Sequence, residues 1–233
     1  MNAVTLNDRS WAIVADADRI PAPDASLFDA DHWRARGAVV GEAAGRGHAL
    51  MLDTPFGAAV LRPYLRGGQA ARLSRDRYLW LGLERTRAVH EFRVLAGLRD
   101  LQLPVPAPLA AGVRRSGLVY RCALLMERIQ DARPLGERLG EDGVPWPAIG
   151  RCICRFHEAG LDHADLNARN ILLAEDGTVW LIDFDRARFD PLMSVNGRAN
   201  LRRLHRSLAK LWPDDDDRLD AAWEQLLKGY RSG

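Results

Sequence analysis

The sequence predicts a bilobal α+β fold, with a small, mainly β N-lobe and a mainly helical C-lobe. Three observations predict it. Residues 1–126 hold short apolar runs broken by glycine turns, with one helical stretch among them. Residues 127–147 are rich in glycine, proline and charge, which suits a connection between lobes. The remainder is mostly helical in its apolar period and encloses one short hairpin. The division expected is an N-lobe over 1–126, including an N-terminal extension, and a C-lobe over 127–233 of a single domain. A chain of 233 residues buries enough apolar surface for such a core.

The elements follow in order. Residues 38–52 read as strand, glycine-rich turn, strand, and Gly57–Arg62 reads as the next strand, followed by a break at Gly67-Gly68. From about Leu83 to Leu98 the pattern turns helical, with Val89, Phe92, Leu95 and Ala96 on one face. Leu103-Pro104-Val105-Pro106-Ala107-Pro108 is held extended by its alternating prolines. Leu118–Met126 is the next strand. Beyond the connection, Ile149, Cys152, Ile153 and Phe156 fall at i, i+3, i+4 and i+7 of a helix begun after Pro147 and ended near Gly160. Ile171–Leu173 and Thr178–Ile182 flank an Asp176-Gly177 turn and predict a hairpin. Leu201, Leu204, Leu208 and Leu211 share a helical face, and a last helix follows Asp214–Asp217, where acids favour an N-terminus.

Composition narrows the function. A hydrophobic share of 47% with 27% charged residues is that of a globular protein, and no apolar run is long enough to span a bilayer. The N-terminus carries no basic-then-apolar signal. Cys122, Cys152 and Cys154 are too few and wrongly spaced for a disulfide framework or a metal site, so they read as small core residues in a reducing cytoplasm. Between Arg62 and Arg99 nine arginines face three acids, an excess of six positive charges. That stretch is either a solvated helix face or a surface for a phosphorylated or membrane-embedded anion. Within it, Leu79-Trp80-Leu81-Gly82-Leu83 either packs internally or dips into a bilayer interface. The only lysines are Lys210 and Lys228.

The chemistry lies in His163-Ala164-Asp165-Leu166-Asn167-Ala168-Arg169-Asn170 and in Leu181-Ile182-Asp183-Phe184-Asp185. A hairpin between them brings Asn170 and Asp183 to one end. Two oxygen ligands there suit Mg2+, which takes few protein ligands and leaves room for phosphate oxygens. Asp165, in the preceding loop, is free to accept a hydroxyl proton. Gly45-Arg46-Gly47, between two strands, lets backbone amides approach an anion, though an ordinary hairpin turn accounts for the same residues.

These two motifs resemble the catalytic loop and metal-binding aspartate of the protein-kinase-like superfamily. The resemblance implies ATP as donor, Asp165 as base and Asn170 and Asp183 as the Mg2+ ligands. Nucleotide contacts are implied for Gly45, Arg46, Gly47, Arg62, Glu91 and Glu127. Arg62 stands where the family places a lysine; it keeps the charge and pairs with phosphates bidentately. Glu91 is its expected partner, or else a solvated helix charge, and Arg66 is the alternative cation. Only 50 residues follow Asp183, without Ala-Pro-Glu, so the C-lobe is shortened and the substrate is small or lipid-linked.

Further stretches are similar to the 3-deoxy-D-manno-octulosonic acid (Kdo) kinase branch of lipopolysaccharide-core kinases. They are Leu61-Arg62-x-Tyr64-x-Arg66-Gly67-Gly68, Leu73–Trp80, Arg85-Thr86-Arg87-Ala88, Leu103-Pro104-Val105-Pro106 and Asp183-Phe184-Asp185-Arg186. This similarity implies phosphorylation of a Kdo hydroxyl, at the 4-position, on a Kdo-bearing lipid A precursor. It implies a peripheral place on the cytoplasmic side of the bacterial inner membrane and no nucleic-acid partner. The rivals are a kinase for heptose or another small hydroxyl compound, and a pseudokinase scaffold.

Overall fold

The computed structural model describes residues 3–8, 10–43, 49–65, 76–213 and 217–233. Its contacts divide the chain into two compact units. One runs to Ala96 and resumes at Pro106–Arg128; the other joins Gly97–Val105 to the chain from Ile129 onward.

The first unit is built on antiparallel strands. β1 (Ala3–Asp8) and β2 (Trp11–Asp16) form a hairpin, and a one-turn α1 (Ala30–Ala35) follows, capped by the Asp29 carboxylate on the Asp31 N–H at 3.0 Å. Then come β3 (Val39–Ala43), β4 (Ala49–Thr54), β5 (Gly57–Pro63), β6 (Tyr78–Leu79), α2 (Arg87–Asp100), β7 (Pro108–Ser116) and β8 (Val119–Glu127). The sheet order is β1-β2-β7-β8-β5-β4-β3, with β6 also on β8. Alternate residues of the central strands point into one core of Ile13, Ala15, Leu50, Leu52, Ala59, Leu61, Leu109 and Leu125, closed by Trp33.

One expectation shifts here. The helix expected from Leu83 begins at Arg87, because Leu83–Arg85 forms a separate 3-10 turn and Thr86 is extended at ψ 144°. The Thr86 hydroxyl closes that turn by donating to the Leu83 carbonyl at 2.6 Å. The N-terminal extension also carries structure, since β2 pairs with β7 and so joins the main sheet. Of the Leu79–Leu83 patch, Leu79 and Leu81 stand 60% exposed rather than packed into a core.

The second unit holds β9 (Ala132–Pro134), α3 (Trp146–Glu158), β10 (Leu161–Asp162), β11 (Ile171–Ala174), β12 (Val179–Leu181), β13 (Arg188–Phe189), α4 (Arg198–Leu211) and α5 (Leu219–Arg231). The segment read as a plain connection supplies β9, which pairs with β11 to make a three-stranded sheet with β12. Its proline sits at the strand's last position, on an edge strand where a missing donor costs little. α3 buries Ile149, Cys152, Ile153 and Phe156, the face its spacing predicts. α3 crosses α5 at glycines: a Cβ on Gly150 would stand 2.0 Å from the Leu226 carbonyl oxygen, so only the bare backbone admits this approach.

Candidate active site

The catalytic-loop residues are positioned by β10, β11, β12 and α4. β11 and β12 pair in the register Ile171↔Leu181, Leu172↔Trp180 and Leu173↔Val179, and the Asp176 carboxylate caps the Thr178 N–H at 2.8 Å in the turn. At the open end, the Ile182 N–H donates to the Asn170 carbonyl at 3.0 Å, so Asn170 and Asp183 come together there. The Asn170 Nδ2 donates to the Asp165 backbone carbonyl at 2.9 Å. A carbonyl only accepts, so this bond fixes the amide orientation and leaves Oδ1 as the group presented for a cation. Asn167 Nδ2 donates to the same Asp165 carbonyl at 2.9 Å, and Asn167 Oδ1 accepts the Arg169 N–H. Asp165 itself is exposed.

Asp183 has φ +66°, one of three non-glycine residues at positive φ among the described residues. The left-handed region costs a residue with a Cβ about 1–2 kcal/mol, so the neighbours must hold it there. They do so through Phe184, fully buried, whose ring lies 6.3 Å from Phe156 and 5.0 Å from the His163 imidazole. His163 Nε2 donates to the Ile182 carbonyl at 3.0 Å, which assigns the proton to Nε2. Burial is the main cause that pulls the His163 pKa below its usual value, so the ring is neutral at pH 7.

α4 anchors the loop from behind. Asn200 Oδ1 accepts the His163 N–H at 2.9 Å, and its Nδ2 donates to Asp162 Oδ1 at 2.7 Å. Ser207 Oγ accepts the Ala168 N–H at 3.1 Å. Asn200 and Ser207 carry no motif signal; their seven-residue spacing on one helical face is the only trace of their shared role.

In the first unit, Arg62 on β5 meets Glu91 on α2. Arg62 Nη2 donates to Glu91 Oε2 and to the Tyr64 hydroxyl, the latter at 3.0 Å, and Tyr64 in turn donates to the same Glu91 oxygen. The Glu91 side chain is 1% exposed and that of Arg62 is 18% exposed, so this is a structural ion pair and not a solvated charge. Tyr64, a fixed position of the Leu61–Gly68 similarity to which no role attaches in the sequence, is the third member of the cluster. Burial first, then the nearby Glu91 carboxylate, pushes its pKa well up, so the hydroxyl remains a donor throughout the neutral range. Arg87 lies over the Tyr64 and Tyr78 rings at 5.2 and 5.1 Å and donates to the Tyr78 hydroxyl at 2.7 Å. Glu127, at the end of β8, is engaged by Arg19 at 3.9 Å. Gly45, Arg46, Gly47 and Arg66 lie outside the described residues.

The donor set suits Mg2+. Asn170 offers a pinned amide oxygen and Asp183 a carboxylate, and this ion binds through one or two protein ligands plus phosphates and water. Among the described residues no group of three or more His, Cys, Asp or Glu gathers to hold a metal. Cys122 and Cys152 are buried thiols whose pKa values burial raises to about 12, as core residues rather than ligands.

The chain is similar to known proteins over most of its length. The family model described as "Lipopolysaccharide kinase (Kdo/WaaP) family" matches residues 30–230. A Stenotrophomonas maltophilia (strain R551-3) protein called 3-deoxy-D-manno-octulosonic acid kinase is 52% identical over 202 residues, covering 86% of this chain and 81% of that one. A Xanthomonas oryzae pv. oryzae (strain PXO99A) protein of the same name is 50% identical over 222 residues, covering 94% and 89%. A third, from Xanthomonas axonopodis pv. citri (strain 306), is 54% identical over 202 residues, covering 86% and 81%. Among the described residues no helix is long and apolar enough to cross a membrane.

Proposed function

This chain belongs to the lipopolysaccharide kinase (Kdo/WaaP) family, and we propose that it transfers the γ-phosphoryl group of ATP to the 4-hydroxyl of Kdo on a lipid A precursor. The observation that carries the reading is the hairpin end, where Asn170 and Asp183 converge beside the loop that presents Asp165. Asp165 accepts the proton of the attacking hydroxyl and orients its oxygen. Asn170 and Asp183 hold Mg2+, which when bound neutralises phosphate charge. Arg62, oriented by Glu91 and Tyr64, binds the nucleotide phosphates, with Gly45, Arg46, Gly47 and Glu127 as further nucleotide contacts. Transfer then proceeds by positioning and charge neutralisation, with no covalent intermediate on the protein.

The chain acts as a single kinase-like domain, with an N-lobe over 1–126 and a C-lobe over 127–233. Its place is peripheral, on the cytoplasmic side of the inner membrane. The exposure of Leu79 and Leu81 beside exposed arginines such as Arg77 supports that placement.

The test is incubation with ATP, Mg2+ and Kdo-bearing lipid A precursor, followed by mass measurement and fragmentation of the product. One added phosphate on Kdo is expected, abolished by chelation of the metal and by Asp165→Ala. Turnover only with a heptose-bearing core would transfer the assignment to heptose. Unchanged phosphorylation in Asp165→Ala would overturn the mechanism.

A further inference from the structure

α4 has two working faces. Asn200, Leu204, Ser207 and Leu208 face the catalytic loop and core. On the opposite side, Arg198, Arg202 and Arg206 recur every fourth residue and line a groove of about 620 Å³ together with Leu201, His205 and Trp223 of α5. Eight residues of α-helix rise about 12 Å, so the three guanidiniums climb one wall of the groove. The His205 ring packs edge-on against Trp223 at 4.7 Å and gives the groove an apolar floor with Leu201.

Among the described residues, no acidic side chain lines the groove. Among the described residues the side chains of Arg198, Arg202 and Arg206 make no ion pair or hydrogen bond. Like charges one helical turn apart oppose each other and destabilise a helix, and a bound anion removes that cost. Guanidinium forks match phosphate oxygens bidentately, and an indole beside them offers a flat surface for an apolar group.

We propose that the α4–α5 groove is a second ligand site, which takes a phosphate ester joined to an apolar body. The arginines hold the phosphate, and Leu201 and Trp223 receive the apolar part. The site lies on the helix that anchors His163 and Ala168 from its other face. It stands on the groove's own chemistry and does not depend on the reaction proposed above.

Isothermal titration of the full chain with dihexanoyl phosphatidate, dihexanoyl phosphatidylcholine and inorganic phosphate tests it. Phosphatidate should bind, more weakly as salt rises. The zwitterionic lipid, whose choline offsets the single negative charge of its phosphodiester, and free phosphate, which lacks the apolar body, should each bind about tenfold more weakly or worse. Arg202→Gln with Arg206→Gln should weaken phosphatidate by about tenfold or more, because each removes a charge-assisted contact. Both arginines are exposed, so the doubly substituted protein keeps its fold. Trp223→Ala should bring phosphatidate down to the affinity of free phosphate. Equal affinity for phosphate and phosphatidate would make this a free-phosphate site and overturn the amphiphile. No binding, or binding indifferent to the two arginine substitutions, would overturn the site altogether. Kinase activity of the same samples on the Kdo acceptor separates the two claims: binding without turnover would refute the proposed reaction alone.

Discussion

Replacing Tyr64 by Phe removes one hydroxyl from the Arg62–Glu91 cluster and leaves the ring in place. The hydroxyl serves both partners, donating to Glu91 Oε2 and accepting from Arg62 Nη2. With the Glu91 side chain 1% exposed, no solvent stands ready to replace the lost donor. A hydrogen bond to a buried charged group contributes about 1.5–3 kcal/mol. For about 2 kcal/mol, a chain of this length should lose roughly 4–8 °C in its unfolding midpoint. The second consequence is functional. Once Glu91 loses the Tyr64 donor, the guanidinium it shares with that hydroxyl loses part of its fixed orientation, and the KM for ATP should rise about tenfold while affinity for the sugar acceptor is unchanged. Glu91→Gln should do more harm, because it removes the carboxylate charge that both Arg62 and Tyr64 engage, a loss of about 3–5 kcal/mol at a buried pair. Thermal melting and steady-state kinetics at varied ATP read both effects. A Tyr64→Phe protein that melts within about 1 °C of the parent, with an unchanged KM for ATP, would refute the claim that this hydroxyl holds the pair.

Other consequences are as specific. Asn200→Ala should cost about 1–3 kcal/mol, by orphaning the His163 N–H, and lower kcat more than it changes the KM for ATP; equal kcat in the variant would count against α4 as the anchor of the loop. Gly150→Ala forces a Cβ against the Leu226 carbonyl and should cost about 3 kcal/mol or more, seen as loss of soluble protein or a collapsed melting midpoint. His157 and His163 are both held below the ordinary histidine value, burial being the first cause in each. The unfolded chain then takes up protons first as pH falls through about 6.5, so stability should drop below that pH by up to about 1.4 kcal/mol per pH unit per histidine. Melting at pH 7.5 and 5.5 checks this, and a flat midpoint across the interval would show that the rings are not buried neutral.

Much of this protein is legible along the chain, because local rules decide it. The intervals among Asp165, Asn170 and Asp183 are set by a hairpin whose length and Asp-Gly turn can be counted, so the convergence at its open end follows from strand geometry. The buried face of α3 likewise follows from a 3.6-residue period. Arg62 is read from its place on a strand, as the cation available there in a chain whose lysines lie near the C-terminus. The family is legible too, since motif spacing survives wherever the chemistry requires it.

Contacts between residues far apart in sequence are decided only when the chain folds. Tyr64 and Glu91 are separated by 27 residues, and nothing in either neighbourhood requires a tyrosine to share the carboxylate; packing β5 against α2 decides it. β9 lies inside a segment whose glycine, proline and charge read as a linker, and it becomes a strand because β11 offers an unpaired edge. The roles of Asn200 and Ser207 depend on which face of α4 meets the catalytic loop, a choice that a helical wheel leaves open. The same choice turns Arg198, Arg202 and Arg206 outward into a groove. In the sequence they are three charges on an amphipathic helix. Only the packing of α4 beside α5 makes them one wall facing Trp223.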